Sequence, residues 1–382
     1  MKLSEGKKKA LKYSLNIILI LTVAVVALVF IFKDNNPRTI WNQLCSVKHR
    51  YIWIGIGLMA VFVCSESVIM RYLFSGLKTK MSLGKCLLMS NIGFFFSAIT
   101  PGASGGQPLQ VFYMMKCGVD SLVSTLVVMV ITVVYKFTLI ILCIVFGLLA
   151  PEATRNAIAE VPILFVIGVV MQAGFMLFLI FCIYFPQIAV WLVKAGVKLL
   201  GKLHLVKKPE ELLEKAMKSV SEYEEAAAYI RKHIHVLFVS LAITIVQRLA
   251  YFSVTYMVAV ALGIECSWVE IVAIQIILSL SVDALPLPGA TGVNEGVFVI
   301  LQSMMFGAES VATALLLNRG ITYYVLAIVT GIFSLIGHLY FCKIAKERQA
   351  NANTGGADTS EIPDGLKQLT EENTTLKQSA SN

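Results

Sequence analysis

Six apolar runs, each long enough to cross a bilayer as a helix, constrain this chain more than any other feature: residues 13–32, 51–72, 121–149, 163–185, 234–262 and 312–341. A helix needs about 20 predominantly apolar residues to cross ~30 Å of hydrocarbon. With 57% hydrophobic and only 14% charged residues, the chain has too little polar surface to cover one water-soluble core. It reads as an all-α polytopic membrane protein. The first run is longer than the apolar part of a secretion signal and no small-residue cleavage pattern follows it, so it is expected to remain as a helix.

The net charge of +9 has a topological explanation and calls for no nucleic-acid partner. With the N-terminus inside, the inner segments carry 24 of the 32 Lys and Arg and the outer segments five, which places both termini in the cytoplasm of a plasma-membrane protein. The three left over, Lys136, Arg248 and Arg319, fall inside expected spans. Residues 1–12 form a basic cytoplasmic N-terminus, 13–185 a first membrane half and 234–342 a second. The segment 186–233 between them is a cytoplasmic linker with helical spacing of Leu213, Met217, Val220, Tyr223, Ala227 and Ile230. Residues 343–382 read as a cytoplasmic tail, its polar end disordered by composition. The eight scattered cysteines have no metal or redox spacing and serve as small apolar packers; neither a metal nor a cofactor is expected.

Two Gly/Pro-rich stretches interrupt the helical pattern, TPGASGGQPLQ at 100–110 and LPLPGATGVNEG at 285–296. After the first, the return leg 107–116 is only ten residues, ~15 Å of helix at about 1.5 Å per residue. After the second, 294–306 is thirteen residues, ~20 Å by the same rise. Neither leg crosses a bilayer. The stretches are therefore expected to be re-entrant helical hairpins at 81–116 and 268–306, one dipping in from each face. Broken backbone at membrane depth is tolerated only inside protein or around a wet cavity. The two share a Pro-Gly-Ala-Ser/Thr-Gly core, and their flanking spans run in opposite directions, the pattern of an inverted-topology repeat with a midplane site on interrupted helices.

Charges within spans are costly, about 2.5–3.5 kcal/mol each on insertion scales, so each needs a reason. Glu66, Lys136, Arg248, Asp283, Glu295 and Arg319 are nearly balanced in sign, and internal ion pairing would account for them as packing devices. Their grouping around the two breaks points instead to a polar pathway. Each return helix would begin inside the membrane with free N–H groups and a positive dipole end. Gly102, Gly105, Gly106, Gly289 and Gly292, next to Pro101 and Pro288, would let an anionic group approach the backbone. With Lys136, Arg248 and Arg319 the site suits a phosphate-bearing ligand; Glu66, Asp283 and Glu295 would meet a cationic group on it or neutralise the arginines.

At these motifs the chain resembles the lysylphosphatidylglycerol synthase transmembrane-domain family, the flippase-like membrane part of the multiple peptide resistance factor, which also occurs free-standing. Thr100, Pro101, Gly102, Gly105, Gly106 and Pro108 match its Thr-Pro-Gly-x-x-Gly-Gly-Glu-Pro pattern, and Pro288, Gly289, Gly292, Glu295 and Gly296 match Pro-Gly-x-x-Gly-x-x-Glu-Gly. Gln107 stands where the family often has Glu, which weakens the case for a lysyl substrate. The resemblance implies translocation of an anionic or aminoacylated phospholipid between leaflets, with membrane phospholipids as partners and room for a lipid synthase partner or a homo-oligomer. A small-solute secondary transporter, or the membrane component of a phosphatidylglycerol lysyltransferase, is the alternative reading. In the family's synthase, lysyl transfer to phosphatidylglycerol belongs to a large soluble domain, so no such transfer is expected of this chain alone.

Overall fold

A computed structural model describes residues 37–100, 103–185, 187–188, 191, 194–195, 220–283 and 292–353. The expected first span, the two Gly/Pro tips at 101–102 and 284–291, most of the linker before Val220 and the tail from 354 lie outside these residues. All regular structure among the described residues is helical: α1 Pro37–Ser46, α2 His49–Gly76, α3 Leu83–Ile99, α4 Gly106–Lys116, α5 Ser121–Leu149, α6 Pro151–Glu160, α7 Pro162–Tyr184, α8 Val220–Lys232, α9 His235–Leu262, α10 Trp268–Val282, α11 Val293–Arg319 and α12 Leu326–Asn353.

Local chemistry sets the boundaries. The Ser82 side chain accepts from Lys85 N at 3.3 Å and starts α3, and Asp120 accepts from Leu122 N at 2.8 Å and starts α5. Pro151 and Pro162 occupy the first positions of α6 and α7, where a missing N–H costs nothing. At Gly292, where φ is +90°, the Glu295 carboxylate turns back to accept the Gly292 N–H and opens α11.

Among the described residues five helical runs are long and apolar enough to cross a membrane: α2, α5, α7, α9 and the run Val293–Ile344. They match five of the six expected spans. The sixth run differs from expectation in one respect. The return leg at 294–306 and the last span at 312–341 are joined in a single helical run, bent where Gly307 takes φ +69° and loosened into π-helical turns at Gly320–Val325. A positive φ that side chains rarely adopt lets the chain change direction there without a loop. At its far end α12 continues to Asn353, beyond the point at 343 where the sequence reads as tail.

The frame is the antiparallel pair α2 and α9. Lys48 N donates to Ala261 O at 3.0 Å at one end, and Gln247 Nε2 donates to Phe62 O at 3.0 Å midway. The two short apolar helices cross between halves: α3 packs along α12, and α10 packs along α5. At 17 and 15 residues they are only roughly 26 Å and 23 Å long, too short for a full crossing. Every residue of α10 from Ile271 to Val282 is buried. By contrast α7 shows an apolar outer face, with Ile163, Val166 and Val170 well exposed, as a lipid-facing helix would.

Because lipid tails are as apolar as Leu, burial alone gives no drive for these helices to associate; close approach through small residues does. A Cβ built on Gly168 of α7 would sit 2.0 Å from Leu280 O of α10, and one on Gly106 of α4 would sit 2.4 Å from Gly93 O of α3. In the linker, Tyr223, Ala227 and Ile230 of α8 are buried, the inward stripe that the helical spacing predicts, and Tyr223 Oη donates to Cys182 O at 2.9 Å.

Candidate functional site

The broken ends converge on one chamber of about 1060 Å³. Its walls come from the end of α3 (Phe94, Ser97), Ala103 and Ser104 before α4, the start of α4 (Gln107, Pro108, Val111), the middles of α5 and α7, the midpoint of α9, the end of α10 and the start of α11. The π-helical turns supply Thr322 and Tyr323; Tyr323 Oη also donates to Ala98 O at 3.1 Å and so ties the last span to the tip of α3. Such turns free backbone from the regular ladder and recur at functional sites.

The charges are arranged in two groups. In the first, the Arg248 guanidinium lies 3.9 Å from the centre of the Tyr135 ring and 5.0 Å from that of Phe62, while the Lys136 ammonium lies 4.9 Å from the Tyr135 ring. The Tyr135 hydroxyl donates to Asp283. Among the described residues no carboxylate comes within salt-bridge distance of Lys136 or Arg248. In the second group, Arg319 Nη2 stands 2.7 Å from Glu295 Oε1, both side chains nearly buried. Arg319 Nε and Arg248 Nε are buried without hydrogen-bond partners.

Behind the chamber wall a smaller cavity of about 170 Å³ holds Glu66, whose Oε1 accepts from Gln110 Nε2 at 2.7 Å. The two cavities share Phe94, Ser97, Gln107, Thr132, Tyr135 and Arg248. Gln107 Nε2 donates to Thr132 Oγ1 at 2.8 Å, which places the amide in the partition between them. A site of this kind, with cations fixed on aromatic faces, suits an anionic group held away from water.

The profile of the family described as Lysylphosphatidylglycerol synthase TM region matches residues 17–330. The chain belongs to this family. No curated protein matches it. The match spans both Gly/Pro motifs that carry the family resemblance, together with every titratable residue of the chamber.

The structure of this family member brings together Gln107, Lys136, Arg248, Asp283 and Arg319 on the chamber wall. Glu66 and Gly106 line the smaller cavity, and Glu295 stands behind Arg319. Gly105 and Gly292 line neither cavity: Gly105 is packed against the Thr100 side chain, and Gly292 supplies the positive φ at the start of α11. Pro101, Gly102, Pro288 and Gly289 lie outside the described residues.

Sequence reasoning missed Tyr135, Gln110, Thr132 and Gln172. Gln172, on α7, is 2% exposed, lines the chamber and has hydrogen bonds at neither its amide oxygen nor its nitrogen. A lone amide in the middle of an apolar span carries a cost that only a polar partner offsets, and that was the available signal. Tyr135 gave a weaker one, because aromatic residues are common in spans.

Proposed function

We propose that this protein moves a phospholipid with an anionic or aminoacylated headgroup between the leaflets of the plasma membrane. The observation that carries this reading is the chamber itself, where the ends of α3 and α10 meet three cations and an apolar flank on α7. Met171 and Phe175 line the chamber and continue the exposed apolar face of α7, a composition suited to acyl chains that remain in the bilayer while the headgroup crosses inside. The two short helices and their return legs act as re-entrant hairpins from opposite faces, in an inverted repeat. The packing of each short helix against the other half, α3 on α12 and α10 on α7 and α5, supports that arrangement. Both termini face the cytoplasm.

Purified protein in vesicles with a trace of tail-labelled phospholipid tests the reading. Label in the inner leaflet becomes accessible to an external quencher when protein is present, and stays protected with Arg248→Ala. Uptake of water-soluble phosphate or amino acid with no lipid movement would favour a solute carrier instead.

A further inference from the structure

The chamber is electrically one-sided. Among the described residues its charged lining comprises three cations, Lys136, Arg248 and Arg319, and one acid, Asp283. The two other acids nearby face elsewhere: Glu66 holds the Gln110 amide in the smaller cavity, and Glu295 is engaged by Arg319 and the Gly292 N–H. Asp283 accepts the Tyr135 hydroxyl and shares electrostatic contact with Lys136, which also feels Arg248. An incoming ammonium would meet Asp283 already flanked by two cations. An incoming phosphodiester would meet two guanidiniums whose buried Arg248 Nε and Arg319 Nε have no hydrogen-bond partner.

Two amides extend this preference. Gln107 is uncharged, and its Nε2 is committed to Thr132. Gln172 is buried at the edge of the chamber, and its amide oxygen and nitrogen have no hydrogen-bond partner. A group that donates and accepts at once, such as a hydroxyl, satisfies both ends of an amide, whereas a methyl or an ammonium does not.

Resting on the lipid-translocation reading and narrowing its cargo, we propose that the chamber selects a phosphodiester lipid whose headgroup ends in an uncharged polyol, and disfavours amine-bearing and aminoacylated headgroups. Arg248 and Arg319 take the phosphate, and Gln172 reads the hydroxyls. Charge complementarity of this kind sets specificity by rejecting the wrong sign as much as by attracting the right one.

The test uses the full chain in phosphatidylcholine vesicles doped separately with tail-labelled phosphatidylglycerol, phosphatidylmethanol, phosphatidylethanolamine and lysylphosphatidylglycerol. Phosphatidylglycerol is expected to cross about tenfold faster than either amine-bearing lipid. Gln172→Ala should bring phosphatidylglycerol down to the rate of phosphatidylmethanol, which has the phosphate without the hydroxyls. Gln107→Glu should raise the ratio of lysylphosphatidylglycerol to phosphatidylglycerol by about tenfold, a gain that misfolding does not produce. Lysylphosphatidylglycerol or phosphatidylethanolamine moving as fast as phosphatidylglycerol would overturn the cargo assignment and leave translocation standing. Movement of none of the four would overturn both. Soluble glycerophosphoglycerol separates the two sources of the same headgroup chemistry: competition with the lipid supports the proposal, and its accumulation inside the vesicles without lipid movement overturns it.

Discussion

Arg248 lies 3.9 Å from the centre of the Tyr135 ring, and the hydroxyl of that ring donates to Asp283, so one tyrosine holds a cation on its face and an anion at its edge. Tyr135 comes from α5, Arg248 from α9 and Asp283 from the residue that caps the end of α10. The chamber's charge arrangement is thus set by the packing of three helices.

Tyr135→Phe keeps the face for Arg248 and removes the hydroxyl from Asp283. A hydrogen bond to a charged group is worth about 1.5–3 kcal/mol, so Asp283 should turn toward Lys136 and Arg248 and occupy the donors that serve a ligand. Lipid movement is expected to fall by about tenfold or more at unchanged expression, with Tyr135→Ala lower still because the cation–π contact goes too. Equal rates for Tyr135→Phe and the parent protein in the vesicle assay would show that the hydroxyl has no part in setting the site.

Arg319 and Glu295 form a nearly buried pair in which Glu295 also accepts the Gly292 N–H. Removing one partner of a buried pair costs about 3–5 kcal/mol, whereas replacing both is far milder. Arg319→Met alone should lower the melting temperature in detergent markedly, and Arg319→Met with Glu295→Gln should recover much of it. Lipid movement should remain low in the double variant, because the guanidinium donors are gone. Recovery of both stability and movement would reduce Arg319 to a packing residue.

Gly106 and Gly93 let α4 and α3 touch backbone to backbone, where an added methyl would lie 2.4 Å from Gly93 O. Overpacking of this kind costs about 1–3 kcal/mol. Gly106→Ala is expected to lower thermal stability by that order, while Gly84→Ala, with nothing within 4 Å of its added Cβ, should leave it unchanged or raise it slightly. A comparable loss at both positions, measured by thermal unfolding, would mean that the close approach contributes nothing.

Five of the six spans were legible because length and composition alone define a helix in hydrocarbon, and the first return leg is indeed a helix of only 11 residues. The intramembrane charges were legible for the same energetic reason, and Lys136, Arg248, Asp283 and Arg319 do meet on one wall. What could not be read was which side of each helix faces which neighbour. Glu66 thus belongs to Gln110 in a smaller cavity, and Gly106 is a packing glycine against α3. Gln107 gave its chemistry but not its partner Thr132, 25 positions away. The join of the second return leg to the last span turned on Gly307, a single residue whose positive φ no periodicity records.

The central claim is that broken helices from opposite leaflets meet around one polar chamber, and the depth of two lining residues tests it most directly. Ser104 beside the first break and Asn294 beside the second both border that chamber. Spin labels at Ser104→Cys and Asn294→Cys, in a background without other cysteines, can be placed in the bilayer by their accessibility to oxygen and to a water-soluble nickel complex. The account predicts both labels at similar depth near the midplane, shielded from lipid and reached by the nickel complex. Labels at opposite membrane surfaces would contradict it.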